Sequence, residues 1–276
     1  MTVLRTFGRA PLSARLGLGL IAVYLGAALL APLLAPYGET EVVGDVWEVS
    51  SRSALLGTDQ LGRDLLSRLL YGARNTVGVA LVATLLAFGV GVVGGSAAAL
   101  IGGWVDSLLN WLVEVLLALP SLIFALLLLS VLSPSVTTVV LVSALLSATR
   151  VFRLSRALAL DMTVVEFVEL ARLRGEGWWW VVRSEIVPNT YGPLLAELGL
   201  RFCFVFLFIS SLSFLGLGMQ PPTADWGSMV RDNAGAMPFG LAAPFFPAAA
   251  IGLLTIAVNL VVDWLAQTEA APDRRP

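Results

Sequence analysis

The chain has 276 residues, 58% of them hydrophobic and only 13% charged, with a formal net charge of −2. Soluble domains average about 25% charged residues, so this deficit, with apolar residues gathered in long blocks, points to a polytopic membrane protein. Histidine is absent and Cys203 is the only cysteine, which excludes His/Cys zinc sites, Ser-His-Asp triads, Cys-His dyads and disulfides within the chain; no basic patch supports a nucleic-acid partner.

Charges mark the water-exposed segments and the gaps between them mark lipid, a crossing needing about 20 apolar residues. Residues 1–15 read as a tail carrying Arg5, Arg9 and Arg15, and residues 16–36 as the first span. That apolar run is too long for a usual signal-peptide core and lacks a clear small-residue cleavage site, so it reads as a retained span. A polar segment follows over 37–74. No ionisable residue lies between Arg74 and Asp106, which places the second span there. The uncharged run 115–149 is too long for one helix. Ser133-Pro134-Ser135 divides it, because proline lacks an N–H and disfavours helix just before it. Spans are expected at about 108–132 and 136–151. A polar loop over 160–189 separates them from a fifth span at 191–215 and a sixth at 243–265. Residues 75–265 thus form a five-helix core, and 266–276 a tail whose end, 269–276, reads as disordered. No internal repeat is evident.

Arginine placement sets the orientation, since all 17 basic residues are arginine. With the N-terminus inside, Arg5, Arg9, Arg15, Arg150, Arg153, Arg156, Arg172, Arg174, Arg183, Arg274 and Arg275 are cytoplasmic. Arg52, Arg63, Arg68, Arg74 and Arg231 then lie outside, and Arg201 falls within a span. The excess agrees with the positive-inside rule. Both termini and the 160–189 loop are therefore expected in the cytoplasm.

Within that loop the string EFVELARLRGEGWWWVVRSEIVPN is a polar island between apolar runs. Val164, Val165, Val168, Ala171 and Leu173 have the spacing of a short amphipathic helix. Gly175 is suited to end it, and the cluster 178–180 of three tryptophans suits a membrane interface or a partner surface. Pro188 is expected to open the fifth span, where a missing N–H costs little. The plain alternative is an interfacial helix joining two spans.

This string, with an acidic-Leu-Ala start, a glycine four residues after Ala171 and Ile186-Val187-Pro188 near its end, resembles the cytoplasmic coupling loop of bacterial ABC importer permeases. LGTDQLGRDLLSRLLYGARNT (56–76) resembles the lead-in to the second span in the dipeptide/oligopeptide/nickel branch of that family. SFLGLGMQPPTADWGSMV (213–230) and NLVVDWL (259–265) resemble two further signatures of the branch, in the expected order. The chain is most similar to the second, shorter permease of such systems. The resemblance implies an all-α type I permease fold of six transmembrane helices and a coupling helix that docks on an ATP-hydrolysing subunit. It also implies a homologous second permease, two ATP-binding subunits, an extracytoplasmic solute-binding protein and a bacterial or archaeal inner membrane. Glu166, Phe167, Glu169, Leu170, Ala171, Arg172, Gly175 and Pro188 would be the docking residues. The loop departs from the family's pattern at Leu170, where alanine is usual, at Glu185, where histidine is common, and at Val187, where leucine is usual. Val262 and Ala266 likewise stand where glycine and arginine are frequent.

Asp59, Arg63 and Asp64 are expected to hold the first outer segment at the aqueous face, with Gly57, Gly62 and Gly72 loosening a helix. Gly216, Gly218, Pro221 and Pro222 force a turn, and Trp226 is expected at an interface. These elements either meet the binding protein, acting as an outer gate, or merely cap the bundle. Glu197 and Arg201 are four residues apart inside the fifth span, where ionisable groups are costly and often functional. They line the translocation path or form a structural pair facing a neighbouring permease. Glu114 and Asp263 are expected near cytoplasmic helix ends. The glycine-rich run 89–103 allows close helix approach or a flexible gate.

The chain has no GxxxxGK[ST] loop and no lysine to make one, so no cofactor is expected on it; ATP and magnesium would sit on the partner subunits. It is expected to be a non-catalytic permease moving di- or oligopeptides inward. Nickel chelates, glutathione-like thiols and oligosaccharides are alternative cargoes of the same transporter class. Two rivals are an ion-coupled secondary transporter, for which inverted repeats would be expected, and an intramembrane enzyme, for which no HExxH or GxSxG string is present.

Overall fold

A computed structural model of the chain describes residues 11–132 and 135–270. Among them the architecture is helical, with two isolated backbone bridges, Val42 with Arg63 and Thr58 with Asp64, as its only extended pairings. Five helices are long and apolar enough to cross a membrane: α1 (Leu12–Leu34), α2 (Leu65–Ile101), α5 (Val136–Thr163), α8 (Tyr191–Phe214) and α10, which runs Phe245–Ala270. A bent pair, α3 (Gly103–Ala118) and α4 (Ser121–Val131), meeting at 92°, supplies a sixth apolar segment, a broken span or a re-entrant loop.

That bend corrects the expectation of one straight span over 108–132. Pro120 sits at the corner as the N-cap of α4, and Leu119 before it is extended. Proline biases its predecessor away from helix, so the break falls there. Ser133 and Pro134 lie outside the described residues, while Ser135 caps α5 by accepting from the Thr138 N–H at 3.1 Å. Two spans are longer than the charge pattern suggested. Helix α2 begins at Leu65 rather than after Arg74, passing through a π turn at Ala73–Val77. Helix α5 continues through Arg150, Arg153 and Arg156 to Thr163. An arginine does not end a helix; its long stem lets the charge reach water or a partner while the backbone stays bonded. At the C-terminal end, Glu269 and Ala270 are helical rather than part of a loose tail; 271–276, like the N-terminal tail residues 1–10, lie outside the described residues.

The most intimate packing joins α2 to α5. A Cβ on Gly91 would lie 2.5 Å from the Val151 side chain, and one on Gly95 would run into the Phe152 carbonyl. Glycines four apart therefore form a close-approach seam, as small residues do between membrane helices. Ala87 packs beside it on Ala144 and Ala148. Gly89 and Gly102, in the same run, meet nothing within 4 Å. Helix α1 lies on α10, with Gly17 against the Ala257 carbonyl and the Tyr24 hydroxyl donating to the Ala250 carbonyl at 3.1 Å. Cys203 is buried and unpaired as a disulfide, its thiol 3.9 Å from the Thr255 carbonyl.

Candidate functional site: two bundle ends and an internal cavity

The loop after α5 folds into a short helix, α6 (Glu166–Leu173), laid across one end of the bundle. Its acidic residues stand in the first turn and Arg172 in the last, the arrangement its dipole favours. Val168 and Ala171, three residues apart, are fully buried against Ala99, Ala159, Val181 and Ile186. Arg172 donates to the Leu100 carbonyl at 3.2 Å, tying α6 to the end of α2. Gly175 takes φ +83°, and the Glu176 N–H reaches the Ala171 carbonyl, so the helix stops in a left-handed cap as expected. The opposite face displays Glu166, Phe167, Glu169, Leu170 and Leu173, the last 77% exposed. Only Val168 and Ala171 of the expected apolar stripe turn inward; Val164 ends α5 and is exposed. The stripe is narrow because a single-layer seat at a bundle end needs only one row of contacts.

Downstream, α7 comprises Trp178–Val181, a π turn at Val182–Ile186, and Val187–Asn189. Pro188 belongs to that last turn. The fifth span starts after it, at Tyr191, beyond the non-helical Thr190. Val181 and Ile186 anchor α7 under α6, while the three tryptophans stay partly exposed and Arg174 lies over the Trp180 ring at 5.9 Å.

At the other end the arrangement inverts expectation. Asp59, Arg63, Asp64 and Trp226 are all buried, not water-facing. The Asp59 carboxylate accepts from the Leu61 and Arg63 N–H groups at 2.8 and 3.0 Å and pairs with the Arg63 guanidinium at 2.7 Å. The Arg68 guanidinium approaches it to 3.2 Å. Asp64 caps α2, accepting from the Ser67 N–H at 2.8 Å. Gly57 and Gly62 are in this loop at φ +78° and +74°, not in a helix. Asp59 and Arg63 stay buried because the tight loop pairs them with each other, and Arg68 adds a donation to the Glu39 carbonyl at 3.1 Å.

Trp226 begins a short helix, α9 (Trp226–Asp232), and its indole donates to the Leu69 carbonyl at 2.9 Å. Its ring stands edge-on to Tyr24 and Phe206, and a Cβ on Gly72 would come within 2.6 Å of it. Gly72 therefore makes room for the indole rather than loosening the helix. Asp225 caps α9 and accepts from Thr76 at 2.9 Å. Burial raises its carboxyl above the ordinary value, against hydrogen bonds from Ser228 and Thr76 that favour the ion. Glu39 accepts from Asn75, and Asn233 accepts from Trp47 and Gln60, stitching the two outer segments together. Sequence reasoning missed Glu39, Thr76 and Asn233, whose partners are far along the chain. Asp225 before Trp226-Gly-Ser was a visible capping signal.

Between the two ends, a cavity of about 440 Å³ is lined by the α3–α4 corner, α5 and α8. Arg201 reaches it and is 2.6 Å from Glu197, so the expected intrahelical pair forms. Arg150, an exposed residue of α5 rather than of a loop, lines the same cavity. No group of three or more metal-ligating side chains exists among the described residues.

The sequence features and this architecture have a counterpart in known proteins. The family described as binding-protein-dependent transport system inner membrane component matches residues 91–268. The chain belongs to that family. It is 36% identical over 259 residues to the dipeptide transport system permease protein of Escherichia coli K12, covering 90% of this chain and 85% of that one. It is 33% identical over 256 residues to the di/tripeptide transport system permease protein of Pseudomonas aeruginosa, covering 90% and 84%. With the dipeptide transport system permease protein of Haemophilus influenzae it shares 31% identity over 259 residues, covering 91% and 88%. The chain is thus a multi-pass inner-membrane component of a binding-protein-dependent transport system with the type I permease fold.

Proposed function

We propose that this chain is the shorter permease subunit of an ATP-driven importer of di- and oligopeptides. It would pair with a homologous permease, two ATP-binding subunits and an extracytoplasmic solute-binding protein. Its relatives named above carry dipeptide or di/tripeptide transport in their names, which supports the cargo. The observation that carries the mechanism is α6, seated by Val168 and Ala171 but presenting Glu166, Phe167, Glu169, Leu170 and Leu173 outward. In this reading that face fits a groove on an ATP-binding subunit, the α6 end of the bundle and both termini being cytoplasmic. Leu170, larger than the family's usual alanine, stands on the exposed face, so its consequence falls on the partner rather than on the fold.

Closure of the nucleotide-bound ATPases would push α6. Because α6 packs on Ala99 of α2, Ala159 of α5 and Ile186 of α7, the push passes to three elements at once. Rigid elements with two packings convert such a push into a switch between inward- and outward-facing states. ATP and magnesium remain on the partners, and no catalytic step is assigned to this chain. The segments 37–64 and 216–240 would form the lid that meets the binding protein.

The test uses the assembled complex. Charge reversal at Glu166 and Glu169 together should abolish co-purification of the ATP-binding subunits and peptide uptake, while the chain still inserts. If the subunits co-purify and uptake persists, the coupling role is wrong. Leu173→Cys, with Cys203 buried, should react with an impermeant maleimide only from the cytoplasmic side; labelling from outside overturns the orientation.

A further inference from the structure

We propose that the cavity at the α3–α4 corner is a carboxylate site on the translocation path, taking the C-terminal carboxylate of the peptide. The proposal rests on the peptide-importer reading above. Three features of the cavity converge on an anion.

Two guanidinium groups line it, from Arg150 of α5 and Arg201 of α8. Both lie over the same ring, Phe204, at 5.8 and 4.8 Å from its centroid. The local acid is Glu197, engaged with Arg201, and Arg150 makes no ion pair among the described residues. Two cations against one carboxylate leave the cavity one positive charge in excess. Arg201 is only 8% exposed, its Nε 2.6 Å from the Glu197 carboxylate. Charges held inside a span are costly, and such residues mark ion or substrate routes.

The α3–α4 corner supplies the second feature. Leu119, Pro120 and Ser121 line the cavity, and α4 starts there without a side-chain cap. The first bonded N–H of α4 is that of Phe124, to the Pro120 carbonyl. The preceding N–H groups are free to serve an anion, and the positive end of the helix dipole favours one. A discontinuous membrane helix whose half-helix N-terminus points at a substrate carboxylate is a recurring transporter device.

Size supplies the third, since about 440 Å³ falls in the range of small-ligand pockets, roughly 300–1,000 Å³. Phe204 and Phe208, with Leu116, Leu117 and Leu146, give the rest of a small peptide an apolar wall. A carboxylate in this cavity would have Arg150, Arg201 and the α4 N-terminus among its walls.

The experiment uses the complete complex in proteoliposomes with its binding protein, comparing uptake of dialanine with that of dialanine amide, each normalised to its affinity for the binding protein. The variants are Arg150→Gln, Arg150→Lys, and the double variant Glu197→Gln with Arg201→Gln, which avoids leaving Glu197 unpaired. Loss of one charged hydrogen-bonding partner should lower the acid-to-amide uptake ratio at least about fivefold in Arg150→Gln. The ratio should fall similarly in the double variant and return in part with Arg150→Lys. An unchanged ratio, or equal loss of both substrates in an intact complex, overturns the site. Loss of the second permease on purification of Arg150→Gln also overturns it, making Arg150 a subunit contact. Failure of the wild-type complex to import either compound overturns the peptide reading, and the site with it.

Discussion

The two ends of this bundle are built on opposite plans. At the end formed by 37–64 and 216–240, acids and arginines are turned inward and matched to one another, with Asp59 holding Arg63 and Asp225 held by Thr76. At the other end α6 keeps two small apolar side chains inside and turns its charges out. A polar network bonded mostly within the chain makes a rigid cap, because moving any bonded member strands its partner. A helix resting on Val168 and Ala171 has a seat but few bonds to break, and retains an unspent surface. The cap suits a lid that keeps its shape, and the seat suits a lever that a partner moves.

The contrast can be broken by mutation, the cap being the costlier end to damage. Trp226→Ala removes a fully buried ring shared by α1, α2 and α8 and should cost about 3–5 kcal/mol, read as a lower thermal unfolding midpoint of the detergent-purified chain. A midpoint near wild type would mean that the indole is not the keystone. Asp59→Asn leaves Arg63 and Arg68 buried with diminished compensation; a loss of about 3 kcal/mol is expected, with a further drop avoided if Arg63→Met is combined with it. Additive losses in that pair would argue against a shared network.

At the lever the effects are smaller in stability and larger in coupling. Ala171→Leu overfills the seat against Val181 and Ile186 and should cost about 1–3 kcal/mol. Peptide-stimulated ATP hydrolysis of the complex should fall much more than the unfolding midpoint does. Equal falls would make α6 an ordinary structural helix. Gly175→Ala strains a φ of +83° in open space and should cost about 1 kcal/mol. Gly175→Asn, which tolerates that conformation better, should recover most of it in the same melting assay.

Much of the bundle could be read from residue order. Apolar runs located three helices within a few residues, at 12–34, 191–214 and 245–270, because lipid leaves no other way to satisfy a backbone there. Helix α6 and its Gly175 terminus were legible for a local reason: spacing and a left-handed glycine act within one turn of chain. The errors fell where charge was taken as a proxy for water. Arg68 was placed in a loop and Asp59 and Asp64 at the aqueous face, yet all three are buried, Arg68 within α2. The corner at Pro120 was hidden because an equally plausible proline stood at 134 and hydropathy is blind to a bend.

By itself, the order of residues determined the membrane class, the six apolar segments and the presence of a polar helix between the fourth and fifth. Those properties depend on composition over a few turns and on backbone bonding that lipid enforces. Only the tertiary structure decided which charges are inside. Trp226 becomes interior because Tyr24, Leu69, Thr76 and Phe206, distant in sequence, arrive to complete its surroundings, and Arg68 because Asp59 and the Glu39 carbonyl meet it. Burial of a polar group is a property of its assembled neighbours, and no local stretch of this chain carries that information.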